Sequence, residues 1–471
     1  MYATRIFFCF LALPLAPFSA APLAAQALQA ATQGGPKPDA AAQAQHEHQP
    51  PAEEPQPDHS QHEATGMTMF PAREASGTAW LPDATPMYGI HRAAGEWQLM
   101  GHGASFVQFL HDSGERGHAQ FASINWVMAM ADRTLAGGRL GLRGMLSLEP
   151  WTIQGCGYPD LLATGERCDG EPIHDRQHQH DLLMEIAAEY DRPLAGAVRW
   201  QVYGGLAAEP ALGPVAYPHR ISAMPNLLAP ITHHWLDATH ITFGVVTGGL
   251  YGGRWKAEVS AFNGREPDEE RTDLDLAPLD SVSGRVWFLP TANLAMQLSA
   301  GRLNDAEPGE DGDFRTDVTR VTASGTYHRL VGNEQIWATT AAWGRNEEDD
   351  HATNAFLIET NLTLADRDSW FGRFEIVGKT AHDLDIHASG LADADGTKTF
   401  TVAKLQGGYT RSITTWKGLR SGLGASVSAG FVPSALQAVY GSRVNAGIGV
   451  YFTVRPSLMR IAEPAPSTQS P

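Results

Sequence analysis

The 471-residue chain sets 34 Lys and Arg against 52 Asp and Glu, a formal charge of −18. Nucleic-acid phosphates call for a basic face, so this balance argues against nucleic acid as a partner. Some all-β folds of this length form a single domain, so length alone does not divide the chain.

Residues 1–27 read as a signal peptide: Arg5, an apolar run from Ile6 to Ala16, then small residues through Ala24-Ala25-Gln26-Ala27. That run is shorter than the roughly 18 apolar residues of a spanning helix, and no later stretch reaches that length. With Cys9 in the segment to be removed, the mature chain keeps Cys156 and Cys168. The oxidising periplasm predicts a disulfide between them; a two-thiolate metal site is the alternative, but no CxxC pattern supports it. Residues 28–79 are rich in Ala, Gln, Pro, Glu and His, with too few large apolar side chains to form a core, and predict a disordered periplasmic leader. The leader carries His46-Glu47-His48, Asp58-His59-Ser60-Gln61-His62 and Met67-Thr68-Met69. Imidazoles with thioethers suit copper better than magnesium or calcium. Over residues 46–69 the tract resembles the His/Met-rich leaders of copper-resistance outer-membrane proteins. That likeness implies His46, His48, His59, His62, Met67 and Met69 as metal ligands; a solvated His-rich linker is the other reading.

After a lead-in at 80–94, residues 95–454 alternate apolar and polar side chains with period two, the mark of a strand with two different faces. Leu140, Leu142, Leu146 and Leu148 oppose Arg139, Arg143, Ser147 and Glu149. Trp255, Ala257, Val259 and Ala261 oppose Lys256, Glu258 and Ser260. The expected strands are 95–110, 119–131, 138–149, 180–191, 196–208, 237–249, 253–264, 282–290, 293–303, 316–328, 333–344, 352–363, 369–380, 398–411, 420–431 and 443–454. Their connections alternate long with short, as a transmembrane antiparallel barrel of about sixteen strands requires. Trp97, Trp200, Trp255 and Trp370 fall at the short-turn ends, the height at which amphipathic rings meet headgroups. Residues 455–471 are expected as a disordered tail, an ending that departs from the terminal aromatic usual in such barrels.

Within this frame Arg139, Arg143, Arg199, Lys256, Glu185, Glu189 and Glu258 are predicted to line the lumen. His178 and His180 share a face with Leu182 and Met184, which places them at the outer rim unless the segment is still loop. The third long connection, 209–236, is apolar and Pro-rich, and carries His219, Met224, His233 and His234, with His240 just beyond. Diffusion porins resemble this arrangement, with a third loop folded inward as a constriction; the His and Met residues there are candidate metal ligands. Glu266 to Asp275, Asp305 to Asp313 and Glu347 to Asp350 form acidic external loops that would concentrate cations or bind ions bridging lipopolysaccharide. No Gly-x-Ser-x-Gly elbow, phosphate-binding loop or HExxH helix is present, so no enzymatic activity is expected.

Residues 174–303 resemble uncharacterised proteobacterial outer-membrane barrels in Asp175-Arg176-Gln177-His178, Ser222-Ala223-Met224 with His233-His234-Trp235, and Phe262-Asn263-Gly264-Arg265-Glu266-Pro267-Asp268. The resemblance implies a place in the bacterial outer membrane among lipid and lipopolysaccharide, inserted by the barrel assembly machinery, and a porin-like trimer as a candidate assembly. The expected role is a channel for ions or small solutes linked to copper or another soft metal, with no cofactor required beyond a candidate copper ion. A closed barrel acting as adhesin or envelope scaffold is the alternative, and a barrel lipase or protease a third.

Overall fold

The computed structural model describes residues 73–308, 315–332, 335–348, 351–387, 390–392 and 396–459. The strands are β1 Ile90–Ala94, β2 Trp97–Asp112, β3 Ala119–Leu135, β4 Gly138–Leu146, β5 Tyr158–Cys168 and β6 Glu171–Gln177. Then come β7 Leu183–Ala195, β8 Val198–Ala208, β9 Thr242–Tyr251, β10 Trp255–Phe262, β11 Ser281–Thr291, β12 Leu294–Pro308 and β13 Arg315–Val331. β14 Gln335–Glu348, β15 His351–Leu364, β16 Asp368–Lys379, β17 Phe400–Trp416, β18 Leu419–Phe431 and β19 Val444–Pro456 complete the order. Sixteen of these form one closed antiparallel barrel, each expected strand matched by an observed one. β19 pairs with β2 from Gly447↔Asp112 to Val454↔Ser105 and shuts the sheet. β1 pairs with Trp97–Gly101 of β2, covering the edge that β19 leaves open. β5 and β6 form a separate hairpin.

Alternation decides which face meets what. On β10, Val259 is 67% exposed while its neighbour Glu258 is 4% exposed. On β18 and β19, Val427, Leu423, Ile448, Val450 and Phe452 point outward, while Asn445, Tyr451 and Thr453 are buried. An apolar outer band around a closed polar interior is the signature of a barrel in lipid, because closure leaves no unpaired backbone edge. Trp97 and Trp255 begin β2 and β10, and Trp200 and Trp370 stand third in β8 and β16, so all four share the short-turn end. Turns there are tight, as at Ala136-Gly137 and Lys417-Gly418, where positive φ closes two-residue hairpins.

Several expectations need correction. The fourth barrel strand begins at Leu183, not 180; His178 and His180 precede it in loop, the alternative to the outer rim, and both are buried in the interior. A register shift between Met145 and Leu146 lets Met184 and Glu185 both turn inward, which breaks the alternation used to place those histidines. The sixth strand starts at Thr242, so Asp237 and His240 sit in a helical turn. Long and short connections do not alternate strictly: β14 and β15 extend to Glu348 and His351, so Glu347 and Glu348 belong to a strand, and Asp349 and Asp350 lie outside the described residues. The leader boundary at 79 falls within a placed segment, since Ser76 to Ala79 are buried inside the barrel. The tail boundary at 455 cuts β19, and Leu458 still bridges Tyr88.

Candidate functional site: the barrel lumen

Of the lumen charges, Arg143, Glu185, Glu189, Lys256 and Glu258 are buried inside the barrel, Arg139 and Arg199 are partly exposed, and each has a partner. Arg139 bridges Glu74, Glu189 (3.0 Å) and Asp191 (2.8 Å); Arg143 reaches Glu189 at 3.0 Å. The Arg199 Nε donates to Asp191 at 2.7 Å, Lys256 lies 3.4 Å from Glu258, and the Tyr203 hydroxyl donates to Glu185 at 2.7 Å. Between these groups, at the short-turn end, lies a polar cleft of about 300 Å³ lined by Arg139, Asp191, Arg199 and Lys256.

Three chain segments enter the lumen and are bonded to this wall. The first is 73–88. Arg143 donates to the Gly77 carbonyl, Lys256 to the Thr78 carbonyl, and Arg285 to the Thr78 hydroxyl at 3.1 Å. Gly77 has φ +49°, and a Cβ there would lie 2.7 Å from the Glu209 Cβ, so glycine permits the close crossing. The second is the β5–β6 hairpin with the short helix α1 Glu149–Thr152 before it. Lys404 of the wall pairs with Asp160, and Asp112 accepts from the Leu161 amide at 3.0 Å. The buried Glu149 carboxylate accepts from the Asn125 amide at 3.1 Å, the His180 amide at 2.9 Å and the His180 Nδ1 at 3.0 Å. The Cys156–Cys168 disulfide is formed, with Cα atoms 5.6 Å apart, and ties the residues just before β5 to the last residue of β5.

The third segment, 209–241, follows the wall around most of its circumference. The Ala211 amide donates to Ser260 on β10 at 2.8 Å, and the Gly213 amide to Ser299 on β12 at 2.9 Å. Asn226 donates to Gln406 on β17 at 2.6 Å, Thr232 to Glu375 on β16 at 2.9 Å, and Trp235 Nε1 to Thr353 on β15 at 2.7 Å. Gly344 on β14 admits this backbone, because a Cβ there would lie 2.2 Å from the Trp235 carbonyl oxygen. At the centre is Arg220, 1% exposed, which donates from Nε to Glu359 (2.7 Å) and from Nη1 to Asp237 (2.7 Å) and the Val215 carbonyl (3.0 Å). Burial alone would raise the Asp237 carboxyl, but Arg220 and the His233 hydrogen bond override it and hold it well below the usual range.

The candidate ligands on this loop fall into two groups rather than one. His233, His234 and His240 gather at the long-loop side with His180: ring centroids lie 5.1 Å apart for His233–His240 and 5.4 Å for His180–His240. His233 Nδ1 meets Asp237 at 2.9 Å, His240 Nδ1 meets the Asp237 carbonyl at 2.9 Å, and His234 Nδ1 meets Glu266 at 3.0 Å. Burial holds His233 and His240 below the ordinary imidazole value, so both are neutral. The His234 and His240 Nε2 atoms are buried without a hydrogen bond. His219 and Met224 lie elsewhere, in an apolar chamber against β2 and β3. Among the described residues, three or more His, Cys, Asp or Glu ligand atoms converge only at Cys156, Cys168 and Asp169, where both cysteines are disulfide-bonded, and at Asp268, Asp273 and Asp275 on the surface. His46, His48, His59, His62, Met67 and Met69 lie outside the described residues. The inward fold of the second loop went unforeseen; the apolar run at Leu161-Leu162-Ala163 was its signal.

No family model matches the chain, and no curated protein matches it in sequence. Solved structures of similar fold include the anion-selective porin from Comamonas acidovorans, at 10% identity and TM-score 0.45, covering 76% of this chain and all of that one. Salmonella typhi OmpF in complex with daunomycin has 9% identity, TM-score 0.43, and covers 77% of this chain and all of its own. The outer membrane channel DcaP of Acinetobacter baumannii has 8% identity, TM-score 0.40, and covers 78% and 100%. These are likenesses of fold.

Proposed function

We propose that the chain is a narrow outer-membrane channel for ions and small solutes, constricted by residues 209–241. The supporting observation is the ring of hydrogen bonds that seats this loop on strands from β10 to β17 inside a charged lumen. A wall carrying both signs of charge solvates small ions, while the seated loop and the two other inserted segments exclude bulky ones. In this reading the His/Met tract of the leader collects copper, and barrels associate as trimers. Planar-bilayer recording of the purified chain tests the channel: small conductance steps are expected, with larger ones when residues 211–239 are replaced by a short Gly-Ser linker. No current from either form would overturn it.

The filled interior favours a second reading, a closed barrel whose long loops act as adhesin or scaffold. Silence of both forms in the same recording is its expected result. The copper part is tested separately by metal titration of the full chain against a variant with His46, His48, His59 and His62 replaced by Gln and Met67 and Met69 by Leu; equal copper uptake would remove the leader from the account.

A further inference from the structure

The lumen wall is charged or hydroxylated over most of its circumference, but on β2 and β3 its inward positions are of another kind. Cross-strand partners there are Met100↔Met130, His102↔Met128 and Ala104↔Trp126. His102 Nε2 lies 3.1 Å from the Met128 sulfur. His219, delivered by the inserted loop, places its ring 5.6 Å from that of His102 and 4.8 Å from the Trp126 indole. The His219 ring makes no hydrogen bond among the described residues. With Met87 and Met224 these side chains enclose a chamber of about 130 Å³, and five of the chain's twelve methionines line it. Met224 is partly engaged, accepting from Arg455 at 3.3 Å.

Hydrophobic packing alone needs no imidazoles here, and aliphatic side chains would fill the space with better-defined rotamers. Neutral imidazole nitrogens beside thioethers are instead the donor set of a soft, low-charge cation, since oxygen ligands suit harder ions.

From this we infer that His102, Met128 and His219, with Met100 and Met130 beside them, form a cuprous-ion site inside the barrel. The site deepens the metal part of the proposed function, yet it stands on barrel residues and does not require the leader to bind.

The experiment uses the full chain carrying the leader substitutions above, titrated with Cu(I) against bicinchoninate under anaerobic conditions. One Cu(I) per chain is expected, with both sulfur and nitrogen neighbours in its X-ray absorption spectrum. Met128→Leu conserves volume and so preserves the fold. It is expected to weaken Cu(I) binding by roughly tenfold or more, because even indirect disturbance of a metal site costs that much. His219→Leu is expected to do the same and to lower the nitrogen contribution to the spectrum, leaving that of His102 beside sulfur. Failure of the leader-substituted chain to bind Cu(I), or unchanged affinity in both single variants, overturns the site. Bilayer recording separates the two claims: a barrel that conducts but takes up no Cu(I) contradicts the site alone, and one that binds Cu(I) without conducting contradicts the channel alone.

Discussion

Replacing Arg220 by Met should unseat the loop that fills the lumen. The guanidinium is the joint between loop and wall, bonded at 2.7 Å to Glu359 of β15 and at 2.7 Å to Asp237 at the loop's far end. Removing one partner of a buried ion pair costs about 3–5 kcal/mol, because the remaining charge is stranded. The low end applies here. Glu359 keeps Arg373 at 3.0 Å, and Asp237 keeps the Tyr217 amide at 2.8 Å and His233 at 2.9 Å. About 3 kcal/mol corresponds to roughly a hundredfold shift from seated toward released loop. The barrel wall keeps its own backbone ladder, so the loss falls on the loop. Single-channel recording should show the high-conductance state occupied far more often, and limited proteolysis should cut within 209–241. The exposed pair Arg302–Asp317 is the control, since such surface bridges contribute about 0–1 kcal/mol and Arg302→Met should change neither readout. Unchanged current and unchanged cleavage in Arg220→Met would refute the reasoning.

Acid should loosen the same loop. His219, His233 and His240 are held neutral below the ordinary value of 6.5, so a released loop binds more protons as pH falls below about 6.5, while the seated state is fully favoured above it. Asp237, held low by Arg220, stays ionised through this window and adds nothing to the effect. Protease cleavage of the loop should therefore rise between pH 7.5 and pH 5 and respond less in a His233→Gln/His240→Gln chain; a flat profile in the parent would contradict this. Lys256→Met should free the segment around Thr78, so that a Thr78→Cys thiol blocked to maleimide in the parent becomes reactive; equal labelling would argue against the anchor. Converting both Cys156 and Cys168 to Ser removes about 3 kcal/mol of loop constraint, which should expose the β5–β6 hairpin to protease without altering the heat-modifiable migration of the barrel; loss of that migration would show the hairpin to be essential for closure.

The alternation of residues such as Val259 against Glu258 made the barrel legible, because one lipid face and one lumen face leave little freedom of register. The third loop was legible for a related reason: a Pro-rich apolar connection between polar neighbours has to find cover. For His178 and His180 alternation leaves rim and loop both open, because period two has no meaning past a bulge and in a loop, and the loop is what the structure has. The second loop and residues 73–88 were missed because their anchors, Lys404 to Asp160 and Lys256 to Thr78, join positions far apart in the chain. The His/Met face of β2 and β3 was within reach of the sequence. Met100, His102, Met128 and Met130 fall on the alternating positions that elsewhere carry charge, a departure that periodicity alone flags.

The account rests on apolar side chains meeting acyl tails while their alternates are sealed inside. Nitroxide labels placed singly at Val259, Val286, Leu298 and Val427, and at Ser260, Ser283 and Ser299, in barrels reconstituted into bilayers test it most directly. The first set should relax strongly with oxygen and weakly with a water-soluble nickel chelate, and the second set should be shielded from oxygen. Equal relaxation of the two sets by oxygen, or strong relaxation of the first set by the chelate, would contradict the account.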